Sequence, residues 1–180
     1  MNACREEGRA RTARQAFAAR GYQEVERTTI LRRELAGFES VVDRQQMQIR
    51  RQMLVEVVND APTRDWWEAC TIGGFELTRF ELVPRTGGRP IASAAFRSIE
   101  ASGTTSLGQA AGLVNIAVDP AYQRRGLAMF LLAEAFRQFL RLGIMHVEVQ
   151  APQANTAVLG VFRKLGFQQV EQGGVWKKTE

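Results

Sequence analysis

The feature that most constrains the fold is the stretch LVNIAVDPAYQRRGLAMFLLAEAF, which runs from Leu113 to Phe136. It places a glycine-bearing turn between an apolar run typical of a strand and an amphipathic pattern typical of a helix. In the turn QRRGLA, Gly126 lets the backbone pass close to a ligand, and the amides that open a helix lack intrahelical partners. Arg124 and Arg125 add positive charge there. The stretch predicts an anion site, which we interpret as a site for a cofactor that contains a diphosphate.

Composition narrows the class of protein. A chain of 180 residues fits one domain with one hydrophobic core. The N-terminus lacks the apolar region of a signal peptide, and the longest uncharged run, residues 101–118, is interrupted by polar residues, so we expect a cytoplasmic protein without membrane spans. Cys4 and Cys70 lie far apart, which does not support a disulfide framework. Because His146 is the only histidine, we expect neither a zinc site nor a Ser-His-Asp triad, and we predict no metal.

The net charge of +5 lies mostly in the first 51 residues. A basic N-terminal region can mark an arm that binds nucleic acid. Here charges of both signs alternate along a predicted helix, which is more typical of a solvated face. Nucleic-acid binding is therefore the less favoured interpretation.

Hydrophobic spacing predicts helices and strands in the first two thirds of the chain. The pattern from Gly37 to about Asp60 indicates a helix, and TRDWWEAC after it indicates a short helix or turn. Gly74–Val83 and Ile91–Glu100 alternate as the strands of an antiparallel hairpin. Residues 101–112 are predicted as a loop, and the apolar run LVNIAV as a strand buried on both faces.

The sequence of the last third of the chain predicts a helix that connects two parallel strands, followed by a further helix and a hairpin. The amphipathic helix begins near Gly126 and ends at Gly143. The strand Ile144–Val149 follows it, and a crossover of this length implies that this strand runs parallel to LVNIAV. TAVLGVFRKL then forms a helix, and the strands Phe167–Val170 and Val175–Lys178 form a closing hairpin around EQGG.

Three motifs together resemble the GNAT N-acetyltransferase family over residues 38–178: VDPAYQRRGLA, the later Asn155, and FRKLGF at Phe162–Phe167. The glycine motifs of dinucleotide and P-loop sites are absent. The resemblance implies an α/β (α+β) fold with a mixed, mostly antiparallel, splayed sheet flanked by helices. It also implies that acetyl-CoA lies between LVNIAV and IMHVEV, where a primary amine of a small molecule or peptide attacks the thioester directly.

The resemblance also assigns roles to individual residues. The backbone N–H of Ile116 would stabilise the developing oxyanion, and Val118 would pair with the pantetheine arm. Asn155 would bond the cofactor, and its alternative role is a helix N-cap. The other cofactor-binding residues that the resemblance implies are Gln123, Arg124, Arg125, Gly126, Leu127, Ala128, Met129 and Phe162.

The chain departs from the family pattern at both proton-transfer positions. Gly112 stands where some members carry a glutamate base, and Phe162 stands where many carry a tyrosine that protonates the leaving thiolate. Glu76, Glu81 and Glu100 lie on or beside the predicted hairpin and can act through water, although each is more often a solvated strand residue. The alternative to an enzyme is therefore a module that binds acyl-CoA without turnover.

An internal repeat relates the two ends of the chain. FAARGYQEVERTTILRRE, from Phe17 to Glu34, aligns without gaps with the segment from Phe162 to Thr179. We hypothesise that residues 1–37 are an extension resembling the tail of a second GNAT domain, left from a tandem protein whose first copy is mostly absent. Residues 38–180 would form the acetyltransferase domain. The extension is predicted to be a helix and a hairpin that dock on this domain or on a second copy of the chain, as in a homodimer.

Overall fold

A computed structural model of the chain describes residues 12, 14–39, 43–63, 70, 76–99 and 109–178. The described strands are β1 (Tyr22–Glu34), β2 (Met53–Val58), β3 (Leu77–Pro84), β4 (Ala92–Ile99), β5 (Gln109–Val118), β6 (Ile144–Pro152) and β7 (Gln168–Lys178). The described helices are α1 (Arg44–Gln52), α2 (Leu127–Arg141) and α3 (Thr156–Lys164), with a 3-10 turn at Pro120–Tyr122. Residues 14–19 are also helical.

The strands form one sheet in the order β2-β3-β4-β5-β6-β1-β7. Every neighbouring pair is antiparallel except β5 and β6, which are parallel and joined through α2. This arrangement confirms the predicted α/β fold with a mixed, mostly antiparallel sheet. It also confirms the β3-β4 hairpin and the crossover from β5 through α2 to β6.

The core lies between α2 and one face of the sheet. Phe136 and Leu131 of α2 are fully buried, and the ring of Phe139 meets those of Phe80 and Phe96 edge-on at 5.5 and 4.8 Å. Ring pairs with this edge-to-face geometry stabilise the core beyond what the burial of their apolar area contributes. The start of α2 is thereby held in a fixed place relative to the end of β5.

The helix predicted from Gly37 to Asp60 is wrong in its second half. The helix α1 ends at Gln52, and the chain continues as β2, which pairs along its whole length with β3. The segment MLVEVV satisfies helical spacing and strand alternation equally well. Its β-branched valines favour the strand once β3 offers a partner.

The prediction for residues 101–112 is also corrected. Residues 109–112 belong to β5 and pair with both β4 and β6, while residues 101–108 lie outside the described part. The strand LVNIAV is half-buried, with Ala117 exposed, so the prediction that both faces are buried is wrong. Of TRDWWEAC, Thr63 and Cys70 lie within the described residues, and Cys70 is helical and exposed.

The two predicted terminal hairpins are both single strands. The predicted C-terminal hairpin is the continuous strand β7, and the predicted N-terminal hairpin is the continuous strand β1. The glycines of EQGG lie within the β1–β7 ladder, where a Cβ at Gly173 would lie 2.8 Å from the hydroxyl of Thr28. A glycine in the sequence can mark a turn, but inside a strand it can instead mark a place where a neighbouring strand comes too close for a side chain. β1 does not dock on the outside of the domain but lies inside its sheet.

Candidate cofactor cleft

The parallel strands β5 and β6 separate part of the way along the sheet. Their last aligned pair is Leu113 with Val149, and β5 continues to Val118 without pairing with β6. A bulge coincides with this point, since the register against β4 skips Val114. A bulge bends a strand and increases its twist. The sheet therefore opens into a cleft along residues 114–118.

The backbone groups at this edge can be assigned from the alternation of an antiparallel ladder. The N–H of Asp119 donates to the carbonyl of Ile91 at 2.8 Å. Bonds to one neighbour alternate along a strand, so Val118 and Ile116 direct their N–H and C=O groups away from β4 and into the cleft. The Val118 carbonyl fits this assignment, because it accepts from Nε2 of Gln123 at 3.2 Å. This bond fixes Gln123, whose role was predicted only as cofactor binding.

The turn from β5 into α2 is built from two residues in the left-handed region. Arg124 has a φ of +62° and Gly126 a φ of +73°. A left-handed conformation at a residue other than glycine carries about 1–2 kcal/mol of strain, and such strain clusters at functional sites. At Gly126 an added Cβ would lie 3.4 Å from the side chain of Gln45. This distance is an ordinary contact, so it is the positive φ that favours glycine at position 126.

The start of α2 lacks a cap. Gly126 is the N-cap residue without a side-chain bond, the first turn contains no acid, and the first intrahelical donor is the N–H of Phe130. The amides of Leu127, Ala128 and Met129 therefore have no intrahelical acceptor. In contrast, Asp43 caps α1 and Asn155 caps α3. Of α1, α2 and α3, only α2 keeps its first amides and the positive end of its dipole available for an anion.

Helix α1 holds this turn in place. Nε2 of Gln45 donates to the carbonyl of Arg125 at 3.1 Å, and Arg50 pairs with Glu134 of α2 at 2.5 Å. Burial alone raises the pKa of the Glu134 carboxyl, but hydrogen bonds from Arg137 and Arg50 outweigh burial and hold that pKa below its usual value. The carboxylate therefore stays ionised at neutral pH and ties α1 to α2.

Arginine side chains supply the charge beside the turn. Arg124 and Arg125 are both exposed, and the guanidinium of Arg125 lies over the ring of Tyr122 at 5.5 Å. The cation–π contact orients Arg125 without neutralising it. Open amides, a left-handed glycine and two cations that have no acidic partner among the described residues fit a diphosphate group.

Of the two remaining predicted residues, Asn155 is the N-cap of α3 and Phe162 lies within that helix. Oδ1 of Asn155 accepts from the N–H of Val158 at 3.2 Å, so the alternative N-cap role is present in the structure. Asn155 is also exposed, and its cofactor contact stays a prediction. Phe162 is only 1% exposed and packs against Phe167, with 5.2 Å between ring centroids. Its visible role is packing, and its cofactor contact also stays a prediction.

The structure distinguishes among the positions considered for a general base. A Cβ at Gly112 would lie 2.8 Å from Ile99, so this position leaves no room for a side chain without movement. Glu76 is exposed and lies outside the strands, and Glu100 lies outside the described residues. Glu81 lines an open pocket of about 340 Å³. Of the two glutamates that the structure describes, Glu81 is the one placed in this pocket. Its position there follows from the pairing of β3 with β4, which the sequence does not reveal.

No helix in the described part of the chain is both long and apolar enough to span a bilayer. The same residues contain no group of three or more histidine, cysteine, aspartate or glutamate side chains that could hold a metal ion.

The opened sheet and the uncapped helix define a class of α/β proteins with a cleft between two parallel strands and open helix amides at its mouth. A sequence model of the Acetyltransferase (GNAT) family matches residues 44–167. The chain belongs to this family, whose members generally use acetyl-CoA.

Curated relatives match a shorter part of the chain. The N-alpha-acetyltransferase RimI of Mycobacterium tuberculosis is 46% identical over 55 residues, which make up 31% of this chain and 33% of that protein. The [ribosomal protein bS18]-alanine N-acetyltransferase of Escherichia coli K12 is 36% identical over 59 residues, which make up 33% of this chain and 40% of that protein. The matches thus span well under half of each relative.

Solved structures share the fold over most of the chain. A tandem GNAT protein from the clavulanic acid biosynthesis pathway has a TM-score of 0.67 and 13% identity, covering 91% of this chain and 57% of that one. An aminoglycoside acetyltransferase from a soil metagenome has a TM-score of 0.54 and 16% identity, covering 73% of this chain and 99% of that one. At such identities the likeness shows the fold alone.

Proposed function

We propose that the chain transfers the acetyl group of acetyl-CoA to a primary amine by direct attack in a ternary complex. The observation that carries the proposal is the start of α2, where open amides and two arginines lie at the mouth of the cleft between β5 and β6. Bound acetyl-CoA would supply an acetyl group already activated as a thioester.

The binding role belongs to the turn and to the open edge of β5. The amides of Leu127, Ala128 and Met129 would hold the diphosphate, with Arg124 and Arg125 adding attraction. A helix N-terminus contributes about 0.3–1 kcal/mol toward a nearby negative charge, and more when the site is partly buried. The edge of β5 would pair with the extended pantetheine arm as a further strand does.

The chemical role belongs to Ile116. Its N–H faces the cleft by the alternation of the β4–β5 ladder, so it is available to stabilise negative charge that develops on a carbonyl oxygen. Removing one such donor typically reduces turnover by about 10²- to 10³-fold. Because a backbone donor requires no particular side chain, isoleucine at this position is compatible with the role.

The acceptor that we propose is the α-amino group of a protein or peptide. An amine must lose a proton before it attacks, which costs about 4–5 kcal/mol at pH 7 for a lysine-like amine and about 1–1.5 kcal/mol for an α-amine. The α-amine therefore needs less help from a chain without Tyr at 162 or Glu at 112. The names of the curated relatives, an N-alpha-acetyltransferase and an alanine N-acetyltransferase, support the same choice.

The fold at residues 14–37 supports a related proposal about origin. We propose that this segment derives from the tail of a second GNAT domain, and that residues 38–180 form the acetyltransferase domain. The aligned repeat supports this proposal, as does the likeness to a tandem GNAT structure. β1 would then be a strand that the tail of the first domain contributes to the sheet of the second.

The test compares two glycines at opposite ends of α2. Gly126 and Gly143 have φ values of +73° and +76°, so alanine is similarly strained at both, but only Gly126 lies at the proposed site. We expect G126A to weaken CoA binding at least tenfold in calorimetry, and G143A to change it less than twofold. Both should lower the free energy of unfolding by about 1–2 kcal/mol.

Turnover is measured as thiol release from acetyl-CoA with a panel of peptides and small amines. Tight CoA binding by the wild type without thiol release would favour the acyl-CoA-binding module, which Gly112 and Phe162 suggest. No CoA binding by the wild type, or equal loss of CoA binding in G126A and G143A, would contradict the proposed site.

A further inference from the structure

The pocket that contains Glu81 meets the cofactor cleft at β5. Its lining residues Arg79, Glu81 and Ser93 alternate along the strands with core residues, so they lie on the face of the sheet opposite α2. Glu81 is aligned with Ser93, and Ser93 with Ala117. Two strand spacings separate the Cα atoms of Glu81 and Ala117, a distance of about 10 Å. Ala117 is exposed and lies between the two β5 residues whose backbone groups face the cleft.

The charged side chains of the pocket differ in how fully they are paired. Asp119 uses both oxygens, accepting from the N–H of Ala121 at 3.0 Å and from Arg89 at 3.0 Å. Glu81 contacts Arg79 at 3.9 Å, which is beyond hydrogen-bond range, and has no other polar contact within the described residues. Its side chain is 21% exposed. Glu81 is therefore the carboxylate of the pocket with open acceptor sites.

We propose that this pocket receives the acceptor, and that Glu81 binds its ammonium group and takes its proton. The proposal rests on the acetyltransferase function proposed above. A carboxylate accepts through two oxygens, and an ammonium group supplies three donors. The row from Glu81 to Ala117 places this ammonium between the carboxylate and the edge of β5, within reach of a thioester beside Ile116.

The balance of charge selects the class of amine. Among the described residues that line the pocket, Glu81 is the one open carboxylate, and Arg79 and Arg89 lie beside it, so a polycation would meet repulsion and unpaired charge. An amine with a single charge and a neighbouring carbonyl matches better, because the carbonyl can accept from a guanidinium. The amino terminus of a peptide has this composition. The open mouth of the pocket leaves room for the rest of the peptide to extend into solvent.

The proposed step balances in protons and bonds. The ammonium group gives one proton to the Glu81 carboxylate, directly or through one water molecule. The free nitrogen lone pair forms the bond to the thioester carbon, and the carbon–sulfur bond breaks, leaving coenzyme A as a thiolate. The second proton lost by nitrogen goes to that thiolate through water, and Glu81 returns its proton to solvent. The products are the N-acetyl peptide, coenzyme A and one proton.

The experiment uses a short peptide that begins with alanine, together with acetyl-CoA and the full chain. The variant is Glu81→Gln, which keeps the shape of the side chain and removes the charge. The matched control is Glu56→Gln, since Glu56 is aligned with Glu81 on β2, is exposed, and does not line the pocket. Glu81→Asp, which keeps the carboxylate, is the second variant.

We expect Glu81→Gln to lower kcat/KM for the peptide about 10²-fold at pH 7, as loss of a general base does. The deficit should shrink to about twofold above pH 9, because the α-amine, with a pKa of about 8, then arrives neutral. Glu81→Asp should lose less than tenfold, and Glu56→Gln less than twofold at every pH. A merely structural role would give a deficit that does not depend on pH.

A binding measurement without turnover completes the test. The peptide is titrated calorimetrically into each protein saturated with coenzyme A, and a peptide with an acetylated N-terminus serves as the blocked control. Glu81→Gln should bind the free peptide about tenfold more weakly than the wild type, with no change in coenzyme A affinity. The blocked peptide should bind both proteins equally weakly.

The failures of this proposal and of the proposed function are distinct. If the wild type acetylates the peptide and Glu81→Gln behaves as Glu56→Gln does, the role of Glu81 is overturned and the acetyltransferase stands. If a polyamine such as spermidine is the better acceptor, the assigned class of amine is wrong. If the wild type transfers no acetyl group to any amine, the proposed function falls, and the acceptor role of the pocket falls with it.

Discussion

The two copies of the internal repeat share their local structure. In the N-terminal copy, a helical segment at residues 14–19 is followed by Gly21 with a φ of +77° and then by β1. In the C-terminal copy, α3 is followed by Gly166 with a φ of +75° and then by β7. The paired rings correspond as well. The ring centroids of Phe17 and Tyr22 lie 5.6 Å apart, and those of Phe162 and Phe167 lie 5.2 Å apart.

The copies differ in what surrounds them. Phe162 is 1% exposed within the core, whereas Phe17 is 42% exposed and stacks on Trp176. The strands show the opposite difference, because β1 lies inside the sheet between β6 and β7, and β7 lies at the edge. Similar sequences thus give the same helix, turn and strand, while burial depends on which parts of the chain lie beside them.

The largest expected effect tests the interior position of β1. Deletion of residues 1–37 removes the strand that joins β7 to the sheet, together with the buried side chains of Leu31 and Leu35. We expect loss of cooperative unfolding in urea, followed by circular dichroism, because the exposed edge of β6 also becomes a template for aggregation. Deletion of residues 1–20 removes the exposed helical segment at residues 14–19 but keeps β1, and it should leave a cooperative transition.

A cooperative transition with an unchanged midpoint in the longer deletion would contradict the position of β1. Loss of folding in both deletions would mean that the helical segment, and not the strand, carries the stability of this region.

The second prediction compares the corresponding phenylalanines. Phe162→Ala should lower the free energy of unfolding by about 3–5 kcal/mol, because it removes a ring from the closed core. Phe17→Ala should lower it by about 1 kcal/mol, because that ring is only partly removed from water. The measurement is the midpoint of urea unfolding for each variant, converted to a free energy with one m value for all variants.

Equal losses in the two variants would show that the N-terminal copy is as well covered as the C-terminal copy. That outcome would place another surface over Phe17, either from a second copy of the chain or from another domain. Sedimentation of both variants would separate these cases.

The fold was predictable where its signals are local. The ends of α2 are marked by Gly126 and Gly143, and the parallel crossover follows from one helix between two apolar strands. The insertion of β1 was not predictable, because nothing near residue 22 reports that it will pair with residue 178. The segment that forms β2 fits two periodicities, and only its partner strand decides between them.

The same division applies to the site. The anion turn was predicted from consecutive residues, and the structure adds the clamp from Gln45, which lies 80 positions away from Arg125. Glu81 was one of three candidate bases on or beside the predicted hairpin. Only the register shows that it shares a row with Ser93 and Ala117, two strand spacings from the open strand.

The smallest expected effect compares the glycines that end the two helical segments. Alanine in a left-handed conformation costs about 1–2 kcal/mol, and a Cβ at Gly21 would meet nothing within 4 Å, so Gly21→Ala should lose only that amount. At Gly166 an added Cβ would overlap Nη1 of Arg33, which donates to the carbonyl of Leu165.

Gly166→Ala should therefore displace Arg33 and lose about 1 kcal/mol more than Gly21→Ala, the typical net value of a hydrogen bond. The difference should disappear when both glycine variants are made in an Arg33→Met background, since no guanidinium is then left to displace. If the two variants lost the same free energy with Arg33 present, the guanidinium would move aside without loss, and the copies would differ in burial alone.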